Sequence, residues 1–176
     1  MATVVMLALV TVLLGSALLH SYISANRLAR CSWDELLGKL HPIGSAGIVT
    51  VAMNHLVPAK DQLELQPEEM WNLLGGLEGL QQMRENGRIL IALASYVERW
   101  NYEEGVIIAE RMRRDGLQLR RAVTRIMLET FIGMKQVRIP FYLHEAASSY
   151  YLMRQRLLAL YQTNHAGLYP RLVEVL

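Results

Sequence analysis

Residues 3–22 read TVVMLALVTVLLGSALLHSY, and from Thr3 to Leu19 no side chain carries a charge. Ten of those seventeen positions are Val or Leu. At about −0.3 to −0.6 kcal/mol each they favour insertion into a bilayer by roughly −3 to −6 kcal/mol. A helix from Thr3 to about Ile23 is ~30 Å long, the thickness of a hydrocarbon core. The stretch therefore predicts a single membrane-spanning helix, with His20, Tyr22, Arg27 and Arg30 at the interface, where polar tips reach water.

The competing reading is a cleaved secretory signal ending near Ile23-Ser24-Ala25. A signal needs a basic region ahead of a shorter apolar run, and no Lys or Arg precedes this one. A lipoprotein motif at Leu28-Ala29-Arg30-Cys31 is broken by Arg27 and Arg30. Because Arg27, Arg30 and Lys39 follow the span, the positive-inside rule predicts an N-out, C-in membrane protein with a cytoplasmic C-terminal domain. One cysteine, Cys31, cannot staple a domain. It reads as a plain interfacial residue, with thiol acylation as the alternative.

Outward from that stretch the chain is rich in Leu, Ala and Met, with two Phe and three Trp, a mixture that suits helices. The expected fold is all-α: an N-terminal single transmembrane helix followed by a four- or five-helix bundle. The expected divisions are an anchor at 1–25, juxtamembrane short helices and a connector at 26–66, the main bundle at 67–163 and a tail at 164–176.

Local signals place the helices. Ser32-Trp33-Asp34-Glu35 is a capping box opening a short helix to about Leu40, stopped by His41-Pro42. Trp33 suits either the membrane surface or a small core. Residues 43–57, IGSAGIVTVAMNHLV, are apolar but short for a span, which predicts a buried helix. A second or re-entrant span is the lesser alternative. Pro67 with Glu68 and Glu69 starts a helix, and Gly75-Gly76 should kink or break it. The next helix runs from about Leu77 to Trp100, and its Ile89–Ala94 segment, apolar nearly all round, marks a central element.

Asn101 caps a long helix expected to reach about Gln136. Gly105, Ala109, Met112, Gly116, Leu119, Val123, Ile126, Thr130 and Gly133 form its inner seam. Arg111, Arg114, Arg121 and Arg125 form a stripe on the other side, with Gln118 in the gap. The last long helix, Pro140 to about Gln162, carries Tyr142, Ala146, Tyr150, Met153, Leu157 and Tyr161 on one stripe.

Charge is divided unevenly. Residues 31–110 hold five basic and twelve acidic side chains, net −7, and residues 111–176 hold eleven and four, net +7. Packing of one half on the other is the simplest expectation; separate partners are the alternative.

Catalytic signatures are weak. The five histidines never fall at i, i+3 or i, i+4, so no metal and no cofactor is expected. Gly-x-Ser-x-Gly, Walker and Gly-x-Gly-x-x-Gly patterns are missing from the sequence. His144, Glu145 and Tyr151 are candidates for proton transfer, with Ser148 in the same row, but polar groups satisfying one another in an interface are the simpler reading. The arginine stripe suits a solvated face or, in a tethered domain, anionic lipid. Nucleic acid is unlikely on charge unaccompanied by interleaved aromatics.

The function expected from these residues is a non-catalytic, membrane-anchored interaction or scaffold module. Its partners are the bilayer and an unidentified protein or a second copy. A helical pocket or basic surface that binds lipid or a small molecule is the alternative, and an enzyme centred on His144, Glu145 and Tyr151 comes third.

Overall fold

In the computed structural model, residues 27–57, 65–98, 102–132 and 139–176 are described, with residues 1, 6, 7, 11, 12 and 15 near the N-terminus. The described part is an all-α helical bundle. Among the described residues no helix is long and apolar enough to cross a membrane. Most of the stretch 3–22, including His20 and Tyr22, lies outside them, as do Asn101 and Gly133.

Ser32 opens α1, Trp33–Leu37, by the expected reciprocal cap. The Glu35 amide donates to Ser32 Oγ at 3.3 Å, and the Ser32 amide donates to Glu35 Oε2 at 2.9 Å. The helix closes at Gly38, earlier than Leu40, where the Gly38 amide returns to the Asp34 carbonyl. Trp33 is buried with Leu36 and Leu37, so of its two expected sites it takes the core.

Ser45–Leu56 forms α2, which buries only Ile48, Val51 and Ala52. Val49, Met53 and Leu56 stay exposed, so the helix expected to be buried is covered on one side alone. Pro67 starts α3, Pro67–Leu73, with Glu68 and Glu69 at the positive end of its dipole. Gly75 and Gly76 take φ of 75° and 63°, a conformation that Cβ-bearing residues avoid, and the chain turns there into α4, Gly76–Val97.

The long helices are α4, α5 (Tyr102–Ile132) and α6 (Ile139–Asn164), and Tyr169–Val175 forms a short α7. The first two run antiparallel, as Gly87 abuts Leu119, Gly116 abuts Ile91, and Gly105 abuts the backbone of Glu98. A Cβ at Gly116 would stand 2.7 Å from Ile91 Cδ1, so the small residues of the α5 seam let the helices close up as expected.

Helix α6 packs on α5, α2 and α4. Five consecutive residues, Ala146 to Tyr150, are buried, so this part of the helix is covered on every side. Its sequence hides this because the enclosed positions are largely Ala and Ser. Buried Asn86 of α4 fastens the α1–α2 connection to this core. It accepts from the His41 amide at 2.8 Å and donates to the His41 carbonyl at 2.8 Å and to Tyr150 Oη at 3.2 Å.

Candidate functional site

Helical spacing builds a cleft along α4 and α5. On α4, Arg84, Arg88, Ile91, Ala92 and Ser95 fall at i, i+4, i+7, i+8 and i+11 and share one side. On α5, Arg113, Gly116, Leu117 and Arg120 fall at i, i+3, i+4 and i+7. The segment before α1 closes the side with Leu28, Ala29 and Cys31. The cleft holds about 470 Å³, within the ~300–1,000 Å³ common for small-molecule sites. Ile91 and Ala92, expected in the apolar core, are only half-buried because they line it.

Its polar groups divide by position. At one end Arg113 is engaged: it donates to Glu98 Oε1 at 3.1 Å, to Ser95 Oγ at 3.2 Å and to Glu110 Oε2 at 3.5 Å. At the other end stand Arg84, Arg88 and Arg120, and none of the described lining residues is acidic. Arg84 Nε is buried without a hydrogen-bond partner. Desolvation first, then the charges of Arg120 and Arg84, hold the Arg88 guanidinium below its ordinary pKa. Glu85, the acid that acts on Arg88 in the opposite sense, lies 3.1 Å from His41 Nε2.

The stripe residues Arg111, Arg114, Arg121 and Arg125 all point outward from α5. Arg114 lies 3.8 Å from Glu110, the pairing expected from their spacing. The same helix exposes large apolar groups: Ile107 is 57% exposed, Leu117 52%, Leu128 53% and Phe131 90%. Ile107 and Leu128 extend the stripe itself, four residues before Arg111 and three after Arg125. Arg27 and Arg30, in a helical stretch at 27–30, are exposed as well.

His144, Glu145 and Tyr151 do not line the cleft. His144 Nδ1 donates to the Val51 carbonyl at 3.2 Å, and its ring stacks on His55 with centroids 5.3 Å apart. Ser148 Oγ is buried without a hydrogen-bond partner, so the expected mutual satisfaction of that row does not include it. Sequence spacing cannot reveal the His55–His144 contact, because it joins two helices. Among the described residues no three of His, Cys, Asp and Glu gather as a metal site would require.

The chain matches no family model, no curated protein and no solved structure. Its function therefore has to be argued from the bundle itself.

Sequence reasoning named the outer stripe of α5 and missed the cleft. The signal was present in Arg84-x-x-x-Arg88-x-x-Ile91-Ala92-x-x-Ser95, a basic end and an apolar middle on one helical side.

Proposed function

We propose that this protein is a non-catalytic, membrane-tethered interaction module whose bundle lies against an anionic lipid surface through the outer side of α5. In this reading residues 3–22 span the bilayer once, N-out and C-in, ahead of a helical bundle on the cytoplasmic side. The observation that carries the reading is the mixture of exposed groups on α5. On this face Ile107 and Leu128, each more than half exposed, stand in line with Arg111, Arg114, Arg121 and Arg125, with Leu117 beside Arg121. At a bilayer the apolar bodies enter the interface while guanidinium groups reach phosphates, at about 1 kcal/mol per basic residue.

The position of the N-terminal segment supports the same orientation. Leu28, Ala29 and Cys31 line one cleft with Leu117 and Arg120, so the chain arrives from the proposed span beside α5.

The test uses the full chain in nanodiscs, with Cys31→Ser and a polarity-sensitive dye on Leu128→Cys. Dye emission should shift to the blue in discs containing phosphatidylserine relative to phosphatidylcholine alone. High salt and the combined Arg111→Gln, Arg114→Gln, Arg121→Gln, Arg125→Gln variant should abolish the shift. Equal emission in both lipids defeats the docking, and release of the chain from membranes by carbonate defeats the span.

A further inference from the structure

We infer that the cleft between α4 and α5 binds a single-chain anionic amphiphile, its acyl chain on Ile91, Ala92 and Leu117 and its carboxylate or phosphate head among Arg84, Arg88 and Arg120. This goes beyond docking to a surface, and it holds whether or not α5 touches a bilayer.

The charge arrangement calls for an anion at one end only. At the Ser95 end the acids Glu98 and Glu110 already serve Arg113. At the opposite end Arg84 keeps a buried N–H without an acceptor. Arg88 stands close enough to both Arg84 and Arg120 for their charges to oppose its own. A buried donor left unmade is costly, and crowded guanidinium groups are stabilised by a shared anion with several acceptor oxygens. A carboxylate or phosphate supplies those oxygens, and guanidinium forks match both.

The walls decide what the anion is attached to. Between the two polar ends the cleft is aliphatic, with Ile91, Ala92 and Leu117 facing it and Leu28 and Leu36 beside them. The lining offers Tyr96 as its single aromatic ring, so a flat base lacks the stacking platforms that nucleotide sites use. From Arg84 to Ser95 the groove runs about 16 Å at ~1.5 Å per residue, an elongated shape that suits a chain. Two glycines, Gly87 and Gly116, stand at its floor, where the closest heavy atoms to an added Cβ would be Leu119 Cδ2 and Ile91 Cδ1.

The experiment is photolabelling of the full chain in phosphatidylcholine nanodiscs by a diazirine-bearing palmitate, with adducts mapped by peptide mass spectrometry. Adducts should concentrate in residues 84–96 and 113–120. Excess palmitate or lysophosphatidate should compete, and the stronger competitor assigns the head as carboxylate or phosphate. Hexadecanol, with the chain but without the charge, should compete poorly. Arg84→Gln with Arg88→Gln should weaken labelling by about tenfold or more, the loss expected for charge-assisted hydrogen bonds. Ala92→Trp, which plugs the apolar middle, should abolish it, with circular dichroism checking that each variant folds. The four-arginine stripe variant should label like wild type, which separates this site from the surface contact. Labelling spread over the whole bundle, competition by hexadecanol equal to palmitate, or labelling indifferent to Arg84→Gln/Arg88→Gln in a folded protein overturns the inference.

Discussion

The Trp33 indole N–H donates to Tyr161 Oη at 3.0 Å, joining residues 128 apart in sequence. The same hydroxyl donates onward to the Leu93 carbonyl at 2.9 Å, so one oxygen ties α1, α4 and α6 together inside the core. Tyr161→Phe keeps the ring but leaves a buried indole N–H without an acceptor. It should cost about 1–3 kcal/mol of stability. Arg171, which caps the outer side of the Trp33 ring at 5.0 Å and pairs with Asp34 at 2.7 Å, is exposed. Arg171→Ala should cost no more than about 1 kcal/mol. Urea melts of the two variants would show this order, and an equal loss would mean that the hydroxyl does not secure α1.

Burial makes the core tyrosines sensitive to alkali. It pushes the Tyr161 hydroxyl above its ordinary pKa, only partly offset by the hydrogen bond from Trp33. Burial also raises Tyr150, partly offset by Asn86. Both groups hold their protons more tightly folded than unfolded, so their contribution is fully present below the unfolded value of about 10 and is lost as pH climbs from there toward the folded values. Unfolding free energy should fall by up to about 1.4 kcal/mol per pH unit for each tyrosine above that point. Urea melts from pH ~9 to ~11.5 would follow it, and Tyr161→Phe should flatten the slope. A slope unchanged in that variant would assign the alkaline loss to other groups.

Glycines separate close packing from mere exposure. A Cβ on Gly47 would sit 2.1 Å from the Leu73 carbonyl oxygen, so α2 and α3 touch through backbone there. Gly47→Ala must push the helices apart and should cost about 1–3 kcal/mol or more. Gly38 has φ −65°, and the nearest atom to an added Cβ is 3.5 Å away. Gly38→Ala restricts the unfolded chain without strain and should gain about 0.4–1 kcal/mol. Thermal melts should therefore move in opposite directions, and a neutral Gly47→Ala would show that α2 does not need that approach.

What the sequence reveals of this fold is its local grammar. The Ser32–Glu35 box, the Pro67 start, the Gly75-Gly76 break and the α5 seam from Gly105 to Ile126 each involve residues within a few turns of one another, and each stands where the sequence puts it, whereas Thr130 at the end of that seam is exposed. Contacts that fix how the helices pack are of another kind. Asn86 on the His41 backbone, Trp33 on Tyr161 and His55 on His144 join residues far apart in sequence, and no spacing rule predicts them. The cleft falls between these cases: its α4 side is readable as a pattern, but only the placement of α5 and of the segment before α1 turns the pattern into a cavity. The division of charge was also legible in part. Arg113 with Glu98 and Arg171 with Asp34 join the basic half to the acidic half, while the α5 stripe faces outward.

Asp115 and Arg156 form an ion pair between α5 and α6, with Asp115 buried and the Arg156 side chain about a third exposed. Neither was singled out by periodicity, since Asp115 lies off the α5 seam and Arg156 off the tyrosine stripe of α6. Desolvation lowers the Arg156 pKa, and the neighbouring charge of Arg111 adds to the effect; the carboxylate paired with this guanidinium is that of Asp115. Asp115→Asn should therefore destabilise the bundle by about 1–3 kcal/mol, below the full cost of breaking a wholly buried pair because Arg156 retains access to water. Replacing both partners, Asp115→Leu with Arg156→Met, removes the desolvation cost along with the attraction and should come within about 1 kcal/mol of wild type. A double-mutant cycle read by urea unfolding tests this. If the double variant is as unstable as the sum of the two single changes, the pair contributes nothing as a pair, and the interface depends on the two side chains separately.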